Sequence, residues 1–130
     1  MANRFNVKIP VTENPKEKEI EALHVKEIVE KEFDVEVLGA AVPVVLDFYA
    51  AGSKPCEDLA PRFAAVAQKF AGKVRFLRVL QGGGGLSAKL GVTRSPTLVF
   101  FKCGKETGER LSGDEIKRTA LKAGVEALLV

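Results

Sequence analysis

Val44-Val45-Leu46-Asp47-Phe48-Tyr49, followed at once by Ala50-Ala51-Gly52-Ser53-Lys54-Pro55-Cys56, is the stretch that decides how this chain folds. The first six residues are apolar with almost no alternation, which predicts a strand buried on both faces. After a short turn, residues 54–70 place Leu59, Phe63, Val66 and Phe70 at spacings of three and four, the pattern of an amphipathic helix. Pro61 lies inside that pattern and predicts a kink. Cys56 therefore falls in the first turn of a helix that leaves a buried strand. A Cys-x-x-Cys there would be a dithiol at a helix N-terminus, the arrangement for thiol–disulfide exchange. Here the first position of the pair is Ser53, so one sulfur is present and the other is replaced by a hydroxyl.

Downstream, Gly72-Lys73 marks a turn, and Val74 to Leu80 is apolar except for Arg75 and Arg78, which predicts another strand. Gly82 to Gly85 reads as a flexible connection. A phosphate loop is the weaker reading, because no Lys-Ser or Lys-Thr follows. Leu86 to Leu90 predicts a short helix. Ser95-Pro96-Thr97 opens a strand over Leu98 to Phe101, Cys103-Gly104 is a hairpin turn, and Glu109 to Leu111 an edge strand. Residues 114–129 form a last helix with Ile116, Ala120, Ala123 and Ala127 on one face.

Upstream, His24 to Ile28 suits a strand, although Val25, Val29, Phe33 and Val37 also step by four. Residues 29–39 predict a helix with Phe33, Val37 and Leu38 on its apolar face and Gly39 at its stop. The first 22 residues stand apart: Phe5, Val7 and Ile9 alternate with polar residues in a short strand ended by Pro10. Residues 13–19 then form a charged connector. Two segments result, an extension over 1–22 and a domain over 23–130. Strands interleaved with helices, ending in a hairpin and a helix, indicate an α/β fold with a central mixed β-sheet flanked by α-helices.

The 130 residues are 46% hydrophobic and 28% charged, an ordinary globular balance. The net charge of +3 is dispersed among interspersed Lys and Glu, which gives no nucleic-acid footprint. No apolar leader or membrane-length run is visible, so a cytoplasmic, monomeric protein without membrane contact is expected. Two cysteines in such a chain predict free thiols. No metal or cofactor is expected.

In the order of its elements and the residues at their junctions, the chain resembles thioredoxin over roughly residues 24–130. Asp47-Phe48-Tyr49-Ala50 is similar to the strand end before the family's redox motif. Pro55-Cys56 resembles the second half of Cys-Gly-Pro-Cys, Pro61 the helix-kinking proline, Ser95-Pro96-Thr97 the cis-proline loop, and Phe101-Lys102-Cys103-Gly104 the hairpin. The departures are Ser53 for the nucleophilic cysteine, Gly52 for the tryptophan before it, Glu57-Asp58 after Cys56, and the Gln81 to Gly85 stretch where an acid is usual.

The resemblance implies the thioredoxin fold and a thiol–disulfide oxidoreductase whose site residues are Cys56, Ser53 and Asp47. Arg78 takes the place of the family's strand lysine and would pair with the buried Asp47, with Pro55 as structural support. Tyr49, Gly52, Ser95 and Pro96 would line a groove for an extended protein or peptide substrate, which could also form a mixed disulfide with Cys56. Serine does not ionise at neutral pH without a strong base, and the single histidine, His24, lies far from the site in the chain. Dithiol turnover is therefore expected to be weak or absent.

Burial and the acids Glu57 and Asp58 disfavour a Cys56 thiolate, while the helix N-terminus favours it. Ser53 is equally expected to cap the helix, worth about 1 kcal/mol. Asp47 is either a proton acceptor for Cys56 or one half of a buried pair with Arg78. Cys103 lies roughly 17–23 Å of extended chain from Pro96 and cannot close a disulfide at the site. Two functions stay open: a redox protein with its nucleophile replaced, in nature or by engineering, and a redox-inactive peptide-binding module.

Overall fold

A computed structural model describes residues 24–81, 85–113 and 116–130. The expectations for a strand over 5–9, a connector over 13–19 and the loop over 82–84 fall outside the described residues. The polypeptide enters the fold at β1 (Val25–Ile28) and continues through a 3₁₀ turn (Glu30–Glu32) and a π-helical stretch (Asp34–Leu38). Then come β2 (Val44–Tyr49), α1 (Lys54–Lys69), β3 (Arg75–Leu80), α2 (Leu86–Lys89), β4 (Thr97–Lys102), β5 (Lys105–Glu106), β6 (Leu111–Ser112) and α3 (Arg118–Leu128).

The sheet order is β1-β3-β2-β4-β5, with β6 also pairing with β4. β1 and β2 run parallel to β3, whereas β4 runs antiparallel to β2, β5 and β6. The sheet is therefore mixed, with β2 flanked on both sides by hydrogen-bonded strands. Val44 to Phe48 are all buried, which explains why β2 lacks alternation. Val45 of β2 packs with Leu59, Phe63 and Val66 of α1, Leu98 and Phe100 of β4, and Leu121 and Val125 of α3. Val44, Leu46 and Phe48 face the opposite layer, with Ile28, Phe33, Val37, Leu86 and Val92.

Three expectations change. The helix predicted over 29–39 is a 3₁₀ turn and a π-helical stretch, anchored by Phe33 and Val37, while Leu38 is exposed. Of the expected edge strand at 109–111 only Leu111 is in a strand, β6; β5 is the second arm of the hairpin, and Arg110 lies between the two. The Arg110 guanidinium is held by Glu106 and by the Leu90 and Gly91 carbonyls. In the last helix, Ala120, Ala123 and Ala127 face solvent, and Leu121, Val125 and Leu128 form the buried stripe. Leucine and valine remove more apolar surface from water than alanine, so the larger side chains fix the helix rotation. Ile116 is buried but precedes α3.

Candidate functional site

β2 ends at Tyr49, and the chain turns through Ala50 to Ser53, where the Ser53 N–H donates to the Ala50 carbonyl at 3.3 Å. Gly52 has φ +75°, a backbone conformation that side-chain-bearing residues rarely adopt, which accounts for glycine at this turn position. α1 begins at Lys54 with Pro55 in its first turn. Ser53 occupies the N-cap position, and its carbonyl accepts the Glu57 N–H at 3.0 Å, but its side chain makes no capping hydrogen bond. The expected hydroxyl cap is absent. The half-buried Ser53 hydroxyl is thus not committed to the helix end.

Cys56 points inward and is only 6% exposed. The Ala50 N–H, directed at the end of β2, donates to its Sγ at 3.3 Å. That contact fixes the sulfur against the turn between β2 and α1, a placement the sequence did not announce. The acidic pair after Cys56 is weaker than expected: the Asp58 carboxylate accepts from Lys54 Nζ at 2.9 Å, at the surface. Helix α1 runs continuously through Pro61.

Asp47 lies on the same sheet face as Val45, beneath α1, and is 4% exposed. Parallel pairing sets Glu27 of β1, Arg78 of β3 and Asp47 of β2 in one cross-strand row, and Leu98 of β4 completes it with an apolar side chain. Burial raises the Asp47 pKa to about 7; Arg78 opposes that rise and Glu27 adds to it. The expected Asp47–Arg78 pair is not formed. The Arg78 guanidinium instead lies over the Tyr49 ring, 3.9 Å from its centroid. Asp47 Oδ1 and Arg78 Nε are left buried without a hydrogen-bond partner. The Tyr49 hydroxyl donates to Glu27 Oε2, and desolvation, then that bond, pushes the Tyr49 pKa up to about 12.

Tyr49 therefore does not face Pro96. Its side chain crosses β3 toward β1, away from β4, because Arg78 and Glu27 offer it a cation and an acceptor. The Ser95–Pro96 peptide bond is cis, and the Phe48–Thr97 register brings that loop to the end of β2 from which the turn to Cys56 departs. The Pro96 carbonyl accepts the Gly113 N–H at 3.2 Å, and Thr97 Oγ1 donates to the Arg94 carbonyl at 2.7 Å. Gly52, Ser53, Cys56, Ser95 and Pro96 thus share one end of the sheet with Asp47. Cys103 lies at the other end of β4, exposed in the turn to β5, with φ 55°. Glu27 was missed by sequence reasoning. Its only signal is an acid two residues after Val25 on the core-facing side of a strand.

Among the described residues, no three His, Cys, Asp or Glu side chains gather as a metal-binding set, and no helix is long and apolar enough to cross a membrane. The Thioredoxin family model matches residues 24–127. The chain is 32% identical over 81 residues to Thioredoxin 1 of Nostoc sp., covering 62% of this chain and 76% of that protein. It is 33% identical over 86 residues to Thioredoxin of Haemophilus influenzae, covering 65% and 78%. To Thioredoxin X, chloroplastic, of Arabidopsis thaliana it is 34% identical over 107 residues, covering 81% of this chain but 58% of the relative.

Proposed function

This chain belongs to the thioredoxin family, and from that membership we propose that it is a thiol–disulfide exchange protein working through the single thiol of Ser53-Lys54-Pro55-Cys56. Cys56 gives its proton to the Asp47 carboxylate, and its thiolate attacks one sulfur of a protein disulfide. A Cys56–substrate S–S bond forms as the substrate's own S–S bond breaks, and the second substrate sulfur leaves as a thiolate that takes up a proton. Ser53 cannot resolve the product, so the exchange stops at the mixed disulfide until an external low-molecular-weight thiol attacks it. Gly52, Ser53, Ser95 and Pro96 bound the groove for the substrate backbone, and a reducing cytoplasmic setting suits two free thiols.

The observation that carries this reading is the Ala50 N–H donated to Cys56 Sγ at the first turn of α1. With glutathione disulfide as the probe, mass spectrometry is expected to find an adduct on Cys56 and insulin reduction is expected to be slow or absent. Turnover at the rate of a dithiol thioredoxin, or an adduct on Cys103 alone, overturns the proposal. The 6% exposure of Cys56 favours a second reading, a redox-inactive module that binds peptides in the same groove. Ser53→Cys separates the two: gained insulin reduction supports the exchange protein, and continued inactivity supports the binding module.

A further inference from the structure

Arg78 stands between two carboxylates in its cross-strand row, Glu27 on one side and Asp47 on the other, yet forms an ion pair with neither. A guanidinium so placed is contested. Glu27 is exposed on β1, which is the edge strand among the described residues, and Asp47 is buried beneath α1. The structure shows what holds the balance. The Tyr49 hydroxyl donates to Glu27 Oε2, which engages one oxygen of that carboxylate and orients it, and the Tyr49 ring lies over the guanidinium. The titratable and charged groups of this row are Glu27 from β1, Arg78 from β3, and Asp47 and Tyr49 from β2; Leu98 from β4 is apolar, and Cys56 belongs to the first turn of α1.

We propose that Tyr49 is a positioning residue: by bonding Glu27 and covering the guanidinium it keeps Arg78 from being captured at the sheet edge and holds it in the row between the two carboxylates. Tyr49 then acts on the thiol chemistry through Arg78 and Asp47, without touching the substrate. This rests on the reading of Asp47 as proton acceptor for Cys56. It gives the aromatic residue at the end of β2 a role distinct from lining the groove.

The proposal has an unusual signature, because the two partners of one hydrogen bond must act in opposite directions. Tyr49→Phe keeps the ring but frees Glu27, which draws Arg78 away from Asp47. The Asp47 titration, followed by the ¹³C resonance of its carboxyl, is expected to move up by about one pH unit. Glu27→Gln removes the competitor and a repelling charge, and the same titration is expected to move down by about half a pH unit or more. In the double variant the upward movement must vanish, since the carboxylate at the β1 side that would take Arg78 from Asp47 is gone.

An unchanged midpoint in Tyr49→Phe reduces the cluster to simple charge repulsion and overturns the proposal, as does movement of both single variants in one direction. A second measurement needs no change at Tyr49, the only tyrosine in a chain without tryptophan. Its emission should brighten in Glu27→Gln, where the hydroxyl no longer donates to a carboxylate; constant emission also overturns the proposal. Neither readout requires disulfide exchange, so their failure is distinguishable from failure of Cys56 to form an adduct.

Discussion

At the scale of single residues, Asp47 has the largest energetic consequence. Its carboxyl is held protonated up to about pH 7 in the folded chain, against an ordinary value of 3.8. Between those limits the folded state binds more protons than the unfolded one. The contribution to stability is therefore complete below about pH 4 and is lost as pH rises through 7. Asp47→Asn should remove this dependence and stabilise the fold above pH 7 by up to about 4 kcal/mol, each pK unit being worth about 1.4 kcal/mol. Urea unfolding between pH 5 and 9 checks it, and a variant with undiminished pH dependence contradicts it. The two thiols make a second comparison. Cys103 is exposed and Cys56 buried, so iodoacetamide at pH 7 should modify Cys103 at least about tenfold faster. The reverse order would mean that the Ala50 amide activates Cys56 more than burial protects it. Asp47 was legible in the sequence because an acid inside Val-Val-Leu-Asp-Phe-Tyr demands a reason. Glu27 was not, because only the β1–β3–β2 register shows which side chains share its row.

At the scale of elements, the sequence announced strands and helices better than their faces. β2 and α1 were legible because a continuous apolar run and a 3–4 periodicity have few alternative explanations. The Cys103-Gly104 hairpin was legible for a different reason: both residues have positive φ, 55° and 77°, which suits a two-residue turn with primed geometry. Helix α3 was read with the wrong face, because three alanines were weighted like large apolar residues. Its packing yields a further prediction. Gly124 lies where a Cβ would come within 2.8 Å of Cζ of the Phe100 ring on β4. Alanine normally improves a helix by about 1 kcal/mol over glycine. Here Gly124→Ala must push the ring or the helix aside, and the expected result is a net loss of about 1–3 kcal/mol by urea unfolding. A gain in stability would show that Phe100 yields at no cost. The 29–39 segment was misread for a related reason, since Phe33 and Val37 alone satisfy the core and leave the rest of the turn geometry unconstrained.

At the scale of the whole molecule, both apolar layers are built on one sheet. Val45 belongs to the layer under α1 and α3, and Val44, Leu46 and Phe48 to the opposite layer, so the two meet through the backbone of β2. Neither can be lost without disturbing the strand that supports the other, which favours a single cooperative transition. Every described strand pair and both layers lie between Val25 and Leu128. A chain of residues 23–130 should therefore keep its far-UV circular dichroism and unfold in one step, with Tm within about 5 °C of the full chain, roughly 1 kcal/mol for a domain of this size. Loss of cooperative unfolding would make residues 1–22 part of the fold. A smaller effect has a defined place to show itself. A groove of about 710 Å³ runs beside β1, bounded by His24, Val25, Glu36, Ala71, Arg75 and Phe76. Hydrogen exchange should then change at Val25–Ile28 before it changes at Val44–Tyr49, because β1 pairs, among the described residues, with β3 alone, whereas β2 is paired on both sides. Protection lost first from β2 would contradict the layered arrangement, since the strand that carries Asp47 and leads to Cys56 would no longer be the most strongly held part of the sheet.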